Sequence, residues 1–256
     1  MRLQKYRALT AIGLREAMAY RFNAVMSLVT SLLYLLLYYA IWSSIAASGS
    51  IQGGLGRVMA YLVVGQVVSN TVSMGPEDYV GERVRRGTIV NELKRPVSLR
   101  VQMYLHEMGW AFFRLFSRGV PVLLAGMLFF NVGVPSPVRL GAFLVSLFLS
   151  FNLVFATAFL TSMLVFWTKV SWSIRMMRNL VTNLFSGVLF PLYLLPPHLK
   201  PVFNALPFQA MVDGPITVFL GTVTGRDILV LYGKQLAWLA VLFLAGQGLW
   251  SLAKRR

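Results

Sequence analysis

Six stretches of the chain run for about nineteen residues or more without Asp, Glu, Lys or Arg: 23–56, 58–76, 119–138, 140–168, 179–199 and 235–253. An α-helix needs roughly 20 apolar residues to cross a hydrocarbon core of about 30 Å. The pattern therefore predicts six membrane-spanning helices. A porin-like barrel would alternate apolar and polar positions over segments of about ten residues. Here Phe22–Ser44 and Leu140–Phe166 are nearly continuous Leu, Val, Phe, Tyr and Ala, so the predicted class is an all-α membrane protein.

Composition agrees: 57% of the 256 residues are hydrophobic, 12% are charged and the mean hydropathy is +0.68, outside the soluble globular range. The basic start MRLQKYR precedes an apolar run more than twice as long as the roughly 7–15 residues of a secretory signal. The run is expected to stay as a helix, behind a basic helix over about Leu3–Tyr20.

Charge sets the expected orientation. All but five of the 24 basic residues lie before the first span, between spans two and three, between four and five, or at the end. The exceptions are Arg57, Arg139, Lys200, Arg226 and Lys234. Positive-inside asymmetry then places both termini and the 77–118 segment in the cytoplasm. A net charge of +16 distributed at helix ends serves topology and anionic headgroups, so membrane lipid is an expected partner and nucleic acid is not.

The chain has no cysteine, and its two histidines, His106 and His198, are expected on opposite sides of the membrane, so no metal site is predicted. No GxxxxGK[ST] loop, hydrolase elbow or paired-carboxylate constellation occurs, and no enzymatic activity or bound cofactor is expected. Glu16, Glu77, Asp78, Glu82, Glu92 and Glu107 fall in the cytoplasmic segments, with Asp213 and Asp227 in the opposite loop. An ion-coupled transporter usually keeps an ionisable group within the bilayer. Its expected absence points to an external source of energy.

Two irregular regions interrupt the spans. Residues 81–100, GERVRRGTIVNELKRPVSLR, carry six Lys or Arg and two Glu. Pro76 followed by Glu77 and Asp78 predicts a helix start, Gly87 a stop, and Thr88–Lys94 a second short helix with Ile89 and Leu93 on one face. A third helix is predicted from Ser98 through Val101, Leu105, Met108 and Phe112, with Trp110 and Phe113 suited to the interface. By periodicity alone the insertion reads equally as a solvated basic loop with lipid-binding helices. The second region holds six of the eleven prolines, between 191 and 215, around an apolar middle that includes Val202, Phe203, Leu206, Phe208, Met211 and Val212. Short re-entrant helices are predicted there.

RRGTIVNELKRPVS resembles the segment after the second transmembrane helix of ABC-2 type permeases, the family's coupling helix. FPLYLLPPHLKPVFNALPFQAMVDGPITVFLG, Phe190 to Gly221, is similar to the family's Pro-rich extracytoplasmic region, especially in the subgroup with Leu-Pro-Phe before the last helix. The resemblance implies a single transmembrane domain: a cytoplasmic amphipathic helix (1–21), helices one and two (22–76), a cytoplasmic coupling insertion (77–118), helices three to five (119–194), an extracytoplasmic re-entrant segment (195–227), and helix six with a basic C-terminus (228–256). It also implies a second permease subunit, identical or related, and two nucleotide-binding subunits that hold ATP and magnesium. The setting would be the cytoplasmic membrane of a prokaryote, and the direction export.

Carried onto this chain, the coupling surface is Glu82, Arg85, Arg86, Gly87, Thr88, Ile89, Glu92, Leu93, Arg95 and Pro96, with Ile89 and Leu93 as apolar knobs. Gln66, Asn70, Asn152, Asn183 and Phe185 are candidates for a substrate pathway, though polar residues in spans also hydrogen-bond neighbouring helices. An aromatic lining suits an amphipathic or hydrophobic cargo. The alternatives are an ion-coupled secondary transporter and a non-transporting anchor or assembly subunit.

Overall fold

In hydrocarbon a backbone must satisfy its own hydrogen bonds, and long apolar runs do so as helices. The computed structural model describes residues 2–49 and 53–253, leaving aside the side chains of residues 2–5 and Arg21. The expected basic C-terminus, Lys254, Arg255 and Arg256, lies outside the described residues.

Among the described residues there are α-helices and no strand. In chain order they are α1 (Arg2–Ala19), α2 (Arg21–Ala47), α3 (Gly54–Val72), α4 (Pro76–Arg85), α5 (Ile89–Leu93), α6 (Leu99–Arg114), α7 (Val120–Phe130), α8 (Pro137–Thr168), α9 (Trp172–Ser186), α10 (Lys200–Ala205), α11 (Pro207–Leu220) and α12 (Arg226–Ala253). Among the described residues, five helical stretches are long and apolar enough to cross a membrane: Phe22–Ala47, Gly54–Arg85, Leu99–Phe130, Pro137–Thr168 and Arg226–Ala253.

The third stretch starts some twenty residues before the expected 119–138. Leu115–Gly119 forms a π-helical turn that joins α6 to α7 without a break. Pro121 cannot donate to the preceding turn, and a wider turn immediately before it absorbs the missing hydrogen bond. Arg114 and Arg118, expected in the solvent-exposed insertion, therefore stand inside an apolar helix.

The expected span 179–199 is the second difference. Its helix, α9, has 15 residues and ends at Gly187, whose φ of 88° belongs to the left-handed region. A Cβ there would run into the Tyr61 hydroxyl, so only glycine fits. Pro191 precedes a single 3-10 turn, Leu192–Leu194, and Pro196 and Pro197 bar any return to a long helix. The segment still runs the length of α3, from Arg178 against Glu77 at one end to Tyr193 under the Arg57 guanidinium at the other.

The core lies where α3, α8 and α11 meet. Val58, Leu62 and Val68 of α3, Leu153, Phe159 and Met163 of α8, and Met211, Ile216 and Val218 of α11 are all essentially inaccessible. α11, in the region expected to be re-entrant, is buried along most of its length. Asp213, expected in an outer loop, is buried with it. The Tyr61 hydroxyl donates to Asp213 Oδ1 at 2.7 Å, Gln209 donates to Oδ2, and Lys234 donates to Gln209. Burial pushes this carboxyl's pKa up, against the pull of those hydrogen bonds and of the Lys234 charge.

α2 and α12 are peripheral and mostly exposed, whereas the middle of α8 is buried. α1 lies along α6, where Gly13 and Gly109 let the two backbones touch. His106 Nε2 sits 2.8 Å from Glu16 Oε2 beside that contact.

Candidate functional site

The insertion folds as its turn chemistry predicts. α4 opens with Pro76 in its first turn and with Glu77 and Asp78 at the positive end of its dipole. Gly87 takes a φ of 67°, which ends α4 and lets the chain turn into α5. Thr88 precedes α5, but its side chain makes no cap.

The insertion is cross-braced through one carboxylate. Glu92 is buried, with Arg83 Nε 3.3 Å and Arg95 Nη1 2.7 Å from its two oxygens. Gln102 Nε2 donates to the carbonyls of Glu92 and Val97, at 3.0 and 2.7 Å, and so pins α5 to α6. Glu92 therefore shapes the insertion from inside and contributes no charge to its outer face. Ile89 is half-buried against the core cluster, whereas Val90 and Leu93, three apart, are 50% and 44% exposed. The outward apolar pair is Val90–Leu93 in place of the expected Ile89–Leu93. Glu82, Arg85, Arg86, Gly87, Thr88, Arg95 and Pro96 are exposed.

Behind the insertion, two arginines one turn apart on α9 meet two adjacent acids at the start of α4. Arg178 Nε donates to Glu77 Oε1 at 2.6 Å, and its Nη2 donates to Oε2 at 3.2 Å and to the Met74 carbonyl at 2.8 Å. The Thr161 hydroxyl of α8 adds a hydrogen bond to Glu77 Oε1 at 2.7 Å. Arg175 pairs with Asp78. Glu77 is fully buried and Arg178 nearly so. Breaking such a pair by removing one partner typically costs about 3–5 kcal/mol, because the other charge is left buried alone. Glu77 and Arg178, expected in solvated segments, are instead the lock between α4 and α9.

Above this lock a polar cleft of about 490 Å³ lies among α2, α3 and α9. Ser31, Tyr34, Gln66, Asn70, Asn179 and Asn183 line it, with Arg118 and Arg178 at its edge and no acidic side chain among the described lining residues. Asn70 Nδ2 donates to Ser31 Oγ at 3.2 Å, which bridges α2 and α3. The buried Ser69 hydroxyl and the Arg118 Nε have no hydrogen-bond partner among the described groups. With Arg178 neutralised by Glu77, the cleft's net charge is the positive one of Arg118.

Three of the five expected pathway residues, Gln66, Asn70 and Asn183, thus meet in one cleft. Asn152 is elsewhere: it faces the seam between α6, α8 and α12, where the Tyr104 hydroxyl donates to its Oδ1 at 3.1 Å. Phe185 packs its ring on Phe203 and Phe208, with centroids 5.1 and 6.1 Å away. Sequence reasoning missed Arg118 and Arg178 because it assigned both to solvated loops. For Arg178 the available signal was its spacing of one helical turn from Arg175 against the adjacent Glu77 and Asp78.

Comparison with known families bears on the whole of this arrangement. A family model described as ABC-2 family transporter protein matches residues 28–256, which include the insertion, the lock, the cleft and α11. No curated protein matches the chain.

Proposed function

The chain belongs to the ABC-2 transporter family, whose membrane domains are permease components that associate with ATP-binding subunits and typically with a second permease, and we propose from that premise how this subunit couples and what it conducts. Two ATP-binding subunits, holding ATP and magnesium, dock on the face of α5 that carries Val90 and Leu93 within a ring of Arg85, Arg86, Lys94 and Arg95. The apolar pair supplies affinity, and the surrounding charges set register and encounter rate.

The observation that carries this reading is the Arg175/Arg178 to Glu77/Asp78 lock. It makes α9, one wall of the polar cleft, a rigid extension of the first helix of the insertion. A push on α5 passes through α4 to α9 and changes the width of the cleft. Interfaces of this kind switch between discrete packings and do not deform continuously.

The cleft's polar lining favours an amphipathic cargo over a purely hydrophobic one, with the polar part held by Asn and Gln amides and Arg118. Export from the cytoplasmic face of a prokaryotic membrane, with both termini inside and six crossings completed by α9 and the irregular 187–199 segment, fits the distribution of basic residues. Gln66, Asn70 and Asn183 are the pathway residues of this reading. Asn152 and Phe185 have structural roles.

The test is co-purification of the tagged chain with its genomically neighbouring ATP-binding subunit, in wild type and in a Val90→Asp, Leu93→Asp double variant. Both changes are exposed, so stability should move by no more than ~0.5 kcal/mol per site, while the ATPase is lost from the complex. A variant that folds and still retains the ATPase would remove α5 as the dock.

A further inference from the structure

Lined by none of the cleft's residues, a groove of about 610 Å³ lies among α6, α8 and α12. Its walls are mainly apolar, from Phe155, Ala156, Leu236, Leu239, Ala240 and Phe243, with the paired Tyr104 and Asn152 as their polar part. One end is closed by Arg100, in the first turn of α6 and the last residue of the basic 81–100 stretch. The guanidinium is clamped between two rings, 4.3 Å from the Phe159 centroid and 4.2 Å from that of Phe243. It lies so close over Gly246 that a Cβ there would collide with its Nη2.

This is a built seat for a cation, yet among the described residues no carboxylate pairs with Arg100. Among the described residues the two buried arginines, Arg114 and Arg178, each have an acid, whereas Arg100 and the cleft's Arg118 have none. A guanidinium held among apolar helices without an anion is costly, and such groups ordinarily find one. Ten residues of α12 separate Leu236 from Gly246, about 15 Å of helix, which is one leaflet's share of a hydrocarbon core about 30 Å thick.

We propose that this groove is a binding site for an anionic phospholipid of the leaflet on the insertion side, its phosphate on Arg100 and one acyl chain along the α8–α12 seam. Charge complementarity fixes the headgroup and the apolar wall fixes the chain. Arg100 and the Gln102 that pins α5 are on the same short stretch of α6, so an occupied groove steadies the helix on which the insertion rests. The site is separate from the cleft and stands whether or not cargo passes there.

Native mass spectrometry of the full chain in detergent, with dioleoyl phosphatidylglycerol or dioleoyl phosphatidylcholine added, tests it. Wild type should retain the anionic lipid about tenfold better, as expected for a charge-assisted contact. Arg100→Gln should lose that preference and Arg100→Lys should keep most of it. Ala240→Phe, at an exposed position in the wall, should fill the groove and reduce retention of the anionic lipid. Glycerol 3-phosphate, which has the phosphate and no chains, should not compete.

Equal retention of the two lipids by wild type, an undiminished preference in a folded Arg100→Gln, or full competition by glycerol 3-phosphate would each overturn the proposal. Should Arg100→Gln fail to fold, Ala240→Phe decides: unchanged retention of phosphatidylglycerol sinks the site.

Discussion

Glu77 and Glu82 belong to the same ten-residue helix, α4, and each pairs with an arginine. Glu77 is fully buried against Arg178 of α9, and the pair gathers hydrogen bonds from Thr161 and to the Met74 carbonyl. Glu82 meets Arg86 one turn along at 2.8 Å, with the two side chains 50% and 71% exposed. Identical chemistry thus serves two ends. In the inner pair desolvation makes each charge depend on the other, so the contact can transmit force. In the outer pair water competes with the partner, and the charges remain available to another protein.

The sharpest way to break the comparison is to remove one inner charge. Arg178→Met should destabilise the protein by about 3–5 kcal/mol, read as a lowered unfolding midpoint in detergent. Adding Glu77→Gln to that variant should restore much of the stability, because no charge is then left buried alone. If the lock carries the stroke, the double variant will bind the ATPase and hydrolyse ATP without transporting. A loss under about 1 kcal/mol for Arg178→Met would mean that water reaches the pair, and the distinction between the two would fail.

Glu92 comes next, since it stands between the two extremes in depth. It belongs to the insertion, like Glu82, but it is buried. Glu92→Ala should cost about 1–3 kcal/mol by leaving Arg83 and Arg95 without their shared acceptor. Faster amide exchange along α5 and the start of α6 would be the local signature. Glu92→Gln, which keeps an acceptor, should recover part of the loss.

Arg118 sharpens the cleft side. Arg118→Leu removes a cation that makes no ion pair among the described residues. Stability should change by less than about 1 kcal/mol, because no charged partner is stranded. Transport should fall for cargo with an anionic polar part and hold for neutral cargo. The same loss for both would assign Arg118 to packing alone.

These depths explain what the sequence could and could not disclose. Turn chemistry is local, so Pro76 and Gly87 mark the bounds of α4, and Ser98 marks the start of α6, to within a residue or two. Span four, 140–168, is clear for the same reason, with Pro137 opening α8 and no charge from Leu140 to Thr168. Pairing across the bundle is not local. Arg178 and Glu77 are 101 positions apart, and a charge count could only assign them to the loops nearest in sequence. Span five differs in form, because lack of charge alone predicts a continuous helix. Gly187 and three prolines cut it, and those residues were visible in the sequence. The interior faces of α5 are set by Gln102 and by the core beneath Ile89, which is why Val90 displaced Ile89 on the outer surface.

The smallest expected effect completes the comparison from its outer end. Arg86→Ala removes one partner of an exposed pair separated by a single helical turn. Such pairs contribute about 0.3–0.5 kcal/mol, and the change should be near the limit of a thermal melt and should vanish as salt rises, because screening lengths shorten to a few ångströms. The ATPase complex supplies the more sensitive readout. If Arg86 steers docking, Arg86→Ala should slow association several-fold at low salt while leaving dissociation nearly unchanged, since rim charges act on encounter and buried contacts on residence. A stability loss as large as that of Arg178→Met would mean instead that α4 has no inner and outer faces of different worth, and that depth is not what separates its two carboxylates.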